Sequence, residues 1–270
     1  MSLINFKLKH PDEIAVWGTE PHTTMHWFGL TDSNYWLDLK HTIFYEYTES
    51  IIKHWGGKES KYVDYQLIRF VEDFTDLFGK IAAPIPNFFY EIAKTQQSLY
   101  NFYEKANTWL DNLLNDEVID INTDKYEQII EWIYDRSLGS THLIGAPSIH
   151  FFRNANNISL VWKADNLIED TIPMWTANNG ELEMKFDDFV LEVEDFGKRF
   201  FAAMETQVNI AIAKDWQQTS INKSRLVDEQ KERQIDFNNK LALLKTGSSA
   251  INWGLIESLI DEMNKKIYDK

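Results

Sequence analysis

What most limits the fold of this chain is the period of its apolar residues, which changes from two to three-and-four, back to two, and again to three-and-four. Asn5-Phe6-Lys7-Leu8-Lys9 sets Phe6 and Leu8 on one side of an extended segment, the pattern of a half-buried strand. His26–Gly29 and Tyr35–Leu39 read as two strands of a hairpin around Leu30-Thr31-Asp32-Ser33-Asn34. Asp, Ser and Asn favour such turns because their side chains bond nearby backbone groups. Thr42–Tyr47 reads as a third strand of the same aromatic meander. From Val63 the spacing changes. Val63, Leu67, Phe70, Val71, Phe74, Leu77 and Phe78 share one helical face, with Gly79 as a stop signal.

After Ala82–Pro86 a long helix is expected from about Asn87 to Leu114, with Phe88, Ile92, Leu99, Tyr103, Leu110 and Leu113 inward and Asn115-Asp116 ending it. Thr123 is expected to cap the next helix, Asp124 to about Leu138. Alternation returns in Ser148–Phe152 and Ile158–Lys163, which flank an Asn-rich loop. Ile172–Trp175 and Glu181–Phe186 are expected to pair around Asn179-Gly180, because both residues tolerate positive φ. Phe189, Val190, Val193, Phe196, Phe200, Met204, Val208 and Ala211 then form a long helical stripe. The following helix, about Asn222 to Lys245, is polar nearly all round, the mark of an exposed helix or one that meets a partner. Beyond a linker at Thr246-Gly247-Ser248-Ser249, Ile251, Leu255, Leu259, Met263 and Ile267 mark a final amphipathic helix.

Strands, helices, strands and helices follow in blocks, without the short strand–helix–strand units of a doubly wound parallel sheet. The expected class is α+β. A mainly antiparallel sheet comes from two strand groups, about 5–47 and 148–186, with long helices packed on it and a C-terminal helical pair. Residues 1–215 form the α+β domain, and 216–270 a helical extension packed on it.

Composition narrows the function. The 270 residues include 10 Trp, 17 Phe and no Cys, so disulfides and Cys-ligated zinc are excluded. A cytoplasmic location is expected, since no cysteine, signal-length apolar run or membrane-length stretch is present. Lys plus Arg total 27 against 42 Asp plus Glu, a net charge of −15. Nucleic acid is therefore not an expected partner; a basic protein is.

No motif points to catalysis. A Gly-x-Ser-x-Gly elbow and a phosphate-binding glycine loop are both missing, and Gly56-Gly57-Lys58 lacks the spacing of the latter. His22 and His26 lie ~13 Å apart if extended, too far for one ion. No metal and no cofactor are expected. Arg69, Arg136 and Arg153 sit among aromatics, where arginines find a carboxylate or a ring face. Asp32, Asp64 and Asp73 are available partners. Structural ion pairs and an anion-binding cleft both remain open.

Several segments together resemble one bacterial family of unknown function. They are His26–Asp32 with Tyr35-Trp36-Leu37, Tyr62–Asp73, Gly145-Ala146-Pro147 before the strand ending in Arg153, Met174–Ala177 before Asn179-Gly180, and Phe189–Val193 leading to Phe200 and Met204-Glu205. The family is domain-of-unknown-function family 5984, and the likeness covers about residues 5 to 210. It implies no assigned activity; its pattern includes Asp64, Arg69 and Trp175.

Three functions follow as expectations. The first is a protein-binding module of immunity or antitoxin type that takes a basic, toxin-like partner, with homodimerisation through the C-terminal helices as an added possibility. The second is an enzyme in which Asp32, Asp64, Arg69, Arg136 and Arg153 converge between the strand groups. The third is a small-ligand sensor with Trp27, Trp36, Trp162 and Trp175 lining a pocket.

Overall fold

The computed structural model describes residues 2–113, 119–247 and 251–268. The stop expected at Asn115-Asp116, Ser248-Ser249 of the linker, and the side chains of Leu113, Leu114 and Ile267 lie outside what is described. The elements are, in order, β1 (Ile4–Leu8), β2 (Thr24–Met25), a 3-10 turn (Gly29–Thr31), β3 (Asp32–Asp38), β4 (Ile43–Phe44), α1 (Glu49–His54), β5 (Val63–Gln66), α2 (Leu67–Asp76) and α3 (Phe78–Ala82). Next come α4 (Asn87–Ala93), α5 (Gln96–Leu113), α6 (Ile119–Tyr134), β6 (Ser137–Gly139), β7 (Ser148–Arg153), β8 (Asn157–Lys163), β9 (Leu167–Ile168), β10 (Ile172–Pro173) and β11 (Gly180–Lys185). The chain closes with α7 (Phe186–Ala213), β12 (Ser220–Ile221), α8 (Lys223–Thr246) and α9 (Trp253–Tyr268). The fold is α+β, its larger sheets antiparallel, with a C-terminal helical pair.

The single sheet expected to span both strand groups is replaced by two four-stranded antiparallel sheets, one from each end of the strand order, and by two small pairs, β9 with β10 and β2 with β12, the latter parallel. In the first, β3 is central, with β1 on one side and β4 and β5 along the other. In the second the order is β11-β8-β7-β6. A bridge between Tyr47 and Trp175 links the groups.

The expected hairpin of His26–Gly29 with Tyr35–Leu39 does not form. His26–Phe28 turns into the 3-10 segment, held by the Thr31 hydroxyl donating to the Phe28 carbonyl at 2.6 Å. β3 instead pairs with β1 (Phe6 opposite Tyr35) and β5 (Asp32 opposite Gln66). Val63 belongs to β5 rather than to the helix, and Gly79 lies inside α3. The long helix breaks at Lys94-Thr95, where Thr95 and Ser98 cap one another: each backbone N–H donates to the other's hydroxyl. Thr123 sits inside α6, and Leu138 belongs to β6.

Asn179-Gly180 does not close a hairpin either. β11 pairs with β8, and Gly180 faces Trp162. A Cβ at Gly180 would lie 2.9 Å from the Trp162 ring, so the glycine serves ring packing rather than a turn.

The second sheet separates two interiors. Ile149, Phe151, Ile158, Leu160 and Trp162 face the larger core, which also holds the first sheet, α2, α3 and α7. Phe152 and Val161 face the smaller core, built with α4, α5, α6 and α9. The α7 stripe is buried as its spacing demands, and Asp187 and Asp188 occupy its first turn, where they meet the helix dipole favourably. The polar α8 is not left without a partner: Leu226, Phe237, Leu241 and Leu244 pack into the larger core. Phe237 sits against Gly197 of α7, where a Cβ would collide with the ring. Apolar residues of α9, among them Ile256, Leu259, Ile260 and Met263, are buried in the smaller core. Among the described residues no helix is long and apolar enough to cross a membrane.

Candidate functional site

The nine residues singled out by sequence do not share one cleft. Trp27 is fully buried under α8, where its indole N–H donates to Gln230 Oε1 at 2.8 Å. Arg233 lies over its ring and pairs with Glu72. Trp36 stacks on Tyr62 at 4.1 Å. Asp32 and Asp64 both bind Lys9, at 3.2 and 2.5 Å. Burial pushes the Asp32 carboxyl above its ordinary range while Lys9 pulls it back. Arg69 is half exposed and leans toward Glu72 and Asp73 of its own helix, at 3.8 and 3.9 Å. Trp175 donates to the Gly145 carbonyl at 2.8 Å and stacks on Tyr47 at 4.8 Å. Trp162 donates to the Asn178 carbonyl at 2.7 Å.

The other two arginines occupy different interiors. Arg153 lies over Phe186 at 3.7 Å and donates to the Ala82 carbonyl. Arg136 is fully buried, donating to the Trp132 carbonyl at 2.8 Å and lying 5.8 Å from the Trp253 ring. Its Nε and Nη2 have no acceptor among the described residues. Burial brings its pKa down to about 10. By hydrogen bond or ion pair, only Lys9 ties two of the nine together among the described residues. The arginines do not converge.

A polar cluster does form where the loop after β6 meets α2 and β3. His142 Nε2 lies 3.3 Å from the Tyr35 hydroxyl, and its Nδ1 3.7 Å from Asp73 Oδ2. Its ring lies against Tyr65 at 4.8 Å. Beside it the Tyr45 hydroxyl and Ser140 Oγ are 2.5 Å apart. Burial lowers the His142 pKa, although Asp73 opposes this. Asp–His–Tyr can carry a proton in principle, but Tyr35 is wholly buried and the Asp–His gap exceeds a hydrogen bond. The cluster pins the loop to the first sheet.

The more open chemistry lies on the other side. A cavity of about 400 Å³ sits between α5 and the face of the second sheet that looks toward the smaller core. Tyr100, Tyr103, Tyr134, Glu104, His150 and Lys163 are among the residues that line it. Trp162 also lines it, the one predicted site residue that does. Tyr100 and Tyr134 are 52% and 56% exposed. Burial pushes the Tyr103 hydroxyl above its ordinary range, with Tyr134 adding to it. Tyr134 also lines a neighbouring hollow of about 630 Å³, rimmed by Asp124, Glu127 and Glu131.

Sequence reading missed this site because its rings come from two helices and a sheet. The available signal was Tyr100 and Tyr103, three apart on one helix face. Among the described residues no group of three or more His, Asp or Glu could hold a metal.

A model of the family of unknown function DUF5984 matches residues 3–259. The chain belongs to that family. The match runs through α8 and into α9, beyond the segment of about 5 to 210 that carried the resemblance. No curated protein and no solved structure shows significant similarity to the chain.

Proposed function

We propose that this DUF5984 member is a protein-binding module of immunity or antitoxin type that takes a basic partner on the face formed by α5 and α6. One observation carries the reading. Two tyrosines more than half exposed, Tyr100 and Tyr134, flank a cavity beside Glu104, Glu127 and Glu131, in a chain of net charge −15. Tyrosines in a desolvated pocket are typical interface hot spots. A carboxylate rim steers a basic partner and sets association rate more than affinity. The immunity setting rests on analogy with acidic proteins that neutralise basic toxins.

The test is affinity capture of basic proteins at low and high salt, followed by kinetics on a partner so found. Tyr134→Ala is expected to weaken binding about tenfold through faster dissociation. Glu127→Lys with Glu131→Lys slows association and flattens its salt dependence. If no stable basic partner appears at either salt, or the charge-reversed variant binds it as fast, the reading is lost.

A sensor reading has one observation in its favour, since the cavity falls within the usual volume range of ligand pockets. Tryptophan fluorescence across a metabolite panel tests it, and a flat response throughout ends it. Self-association through the C-terminal helices is a separate proposal, motivated by Ile235 and Leu243 standing 60% and 53% exposed on α8. Sedimentation at two concentrations checks it, and a concentration-independent monomer ends it.

A further inference from the structure

The cavity beside α5 has a chemistry more specific than an acidic surface, because aromatic rings form its walls. Tyr103 and Tyr134 lie 6.2 Å apart, centre to centre, at 50°. Tyr100 stands one helical turn before Tyr103. On the sheet side His150 stacks nearly parallel to Phe152 at 5.8 Å and 12°. Burial holds the His150 pKa down at about 4, so its imidazole is uncharged at neutral pH. Glu104 adds a carboxylate, and Glu127 and Glu131 line the hollow that shares Tyr134. Lys163 is the opposing charge, and its ammonium lies 3.8 Å from Asp165. An aromatic face carries negative quadrupole density and attracts a cation within about 6 Å. Within the cavity Glu104 and Lys163 balance one another, and the excess of carboxylates lies in the adjoining hollow across Tyr134. A neutral floor, several tyrosine rings and that neighbouring negative charge suit a weakly hydrated cation better than an anion.

We propose that this cavity binds an organic cation head, a methylated ammonium or a guanidinium, between Tyr100, Tyr103 and Tyr134, with Glu104 balancing its charge. This rests on the reading of the α5–α6 face as a binding surface and names the group that the surface holds. The head can belong to a free small molecule or to a side chain of a basic protein.

The experiment titrates the full chain with choline, with arginine amide, with a trimethyl-lysine peptide, and with 3,3-dimethylbutan-1-ol, the neutral isostere of choline. Calorimetry and NMR shifts provide the readout. At least one cation is expected to saturate, with the neutral isostere at least about tenfold weaker than choline if choline is that cation. Tyr134→Ala lowers the affinity about tenfold, whereas Tyr134→Phe, which keeps the ring face, stays within about twofold. Glu104→Gln weakens binding about threefold. Tyr134 is exposed, so its variants are expected to fold, and far-UV circular dichroism confirms it.

Equal binding of the neutral isostere, no saturable response to any of the three cations, or indifference to Tyr134→Ala overturns the proposal. Binding of choline without the peptide supports the cage and assigns it to a small ligand, which counts against the basic-protein reading. A basic partner that binds regardless of Tyr134→Ala and is not displaced by choline upholds the acidic face and removes the cage.

Discussion

The two interiors treat their buried tryptophans very differently. In the larger core Trp27, Trp162, Trp175 and Trp216 are buried, and each indole N–H donates: to Gln230, Asn178, Gly145 and Ala211. In the smaller core Trp109 and Trp132 are buried, and neither indole N–H has an acceptor among the described residues. Arg136, equally buried, leaves two more donors unmet. An unmet buried donor costs about 1–3 kcal/mol. The cavity between α4, α5 and α9, about 560 Å³, and the two tyrosine hollows also gather around the helices of the smaller core. The larger core satisfies all four of these indoles, and what it leaves without a hydrogen bond among the described residues lies at its margins: Arg153 Nε, His142 Nδ1 and Asn34 Nδ2. The smaller one carries unspent donors and open space, and that is where a ligand or partner has most to offer.

The sharpest way to break this contrast is to truncate one tryptophan from each core. Trp27→Ala is expected to cost about 5 kcal/mol, because it opens a cavity and strands the Gln230 amide. Trp132→Ala is expected to cost nearer 3 kcal/mol, because an unmet donor leaves with the ring. Urea denaturation followed by circular dichroism measures both, and equal losses would erase the contrast.

The next effect is in pH. The folded His150 pKa of about 4 lies below the unfolded value of about 6.5, so the unfolded chain binds the extra proton first. Stability therefore holds above pH 6.5 and falls as pH drops toward 4, by roughly 3 kcal/mol. His150→Gln flattens that slope more than His142→Gln does, since Asp73 partly offsets the burial of His142. A urea series between pH 7 and 4 reports the difference.

The smallest effect concerns two arginines. Arg136→Met is expected to be neutral or to stabilise by about 1 kcal/mol, because a buried guanidinium without a carboxylate gives way to an apolar chain. Arg233→Met loses about 1 kcal/mol, because Arg233 is held by Glu72 and Glu229 over the Trp27 ring. A common sign for the two would mean that the smaller core's arginine is satisfied after all.

The α7 stripe and the β7–β8 hairpin were legible because their signals are local: a run of apolar residues at helical spacing, and two alternating runs around Asn154–Asn157. β3 was half legible. Its alternation was visible, but its partners are supplied by β1 and by β5, about thirty residues further on, which no short-range pattern announces. Asn179-Gly180 misled because the glycine answers a ring on a strand reached from another direction. The site fared worse. Arg69, Arg136 and Arg153 look like one set because each stands among aromatics, yet each is held locally, on its own helix, a carbonyl or a ring, and the two buried ones still leave donors unmet. Tyr100, Tyr103 and Tyr134 look ordinary one by one and acquire meaning only when α5, α6 and the sheet come together.

The second sheet is a party wall. Along β7, Ile149 and Phe151 belong to one room and Phe152 to the other, with His150 opening on the tyrosine cavity. The alternation of two leaves no room for a shift of one. Deleting a single residue from β7 ahead of Phe151 would turn the phenylalanine toward the tyrosines and send a histidine among the phenylalanines of the larger core. Variation in this protein therefore has to spare the length of that strand, and a change of length is better borne by the loop at Asn154–Asn156, which lies outside the ladder. Neither half can be exchanged for another without rebuilding the wall they share.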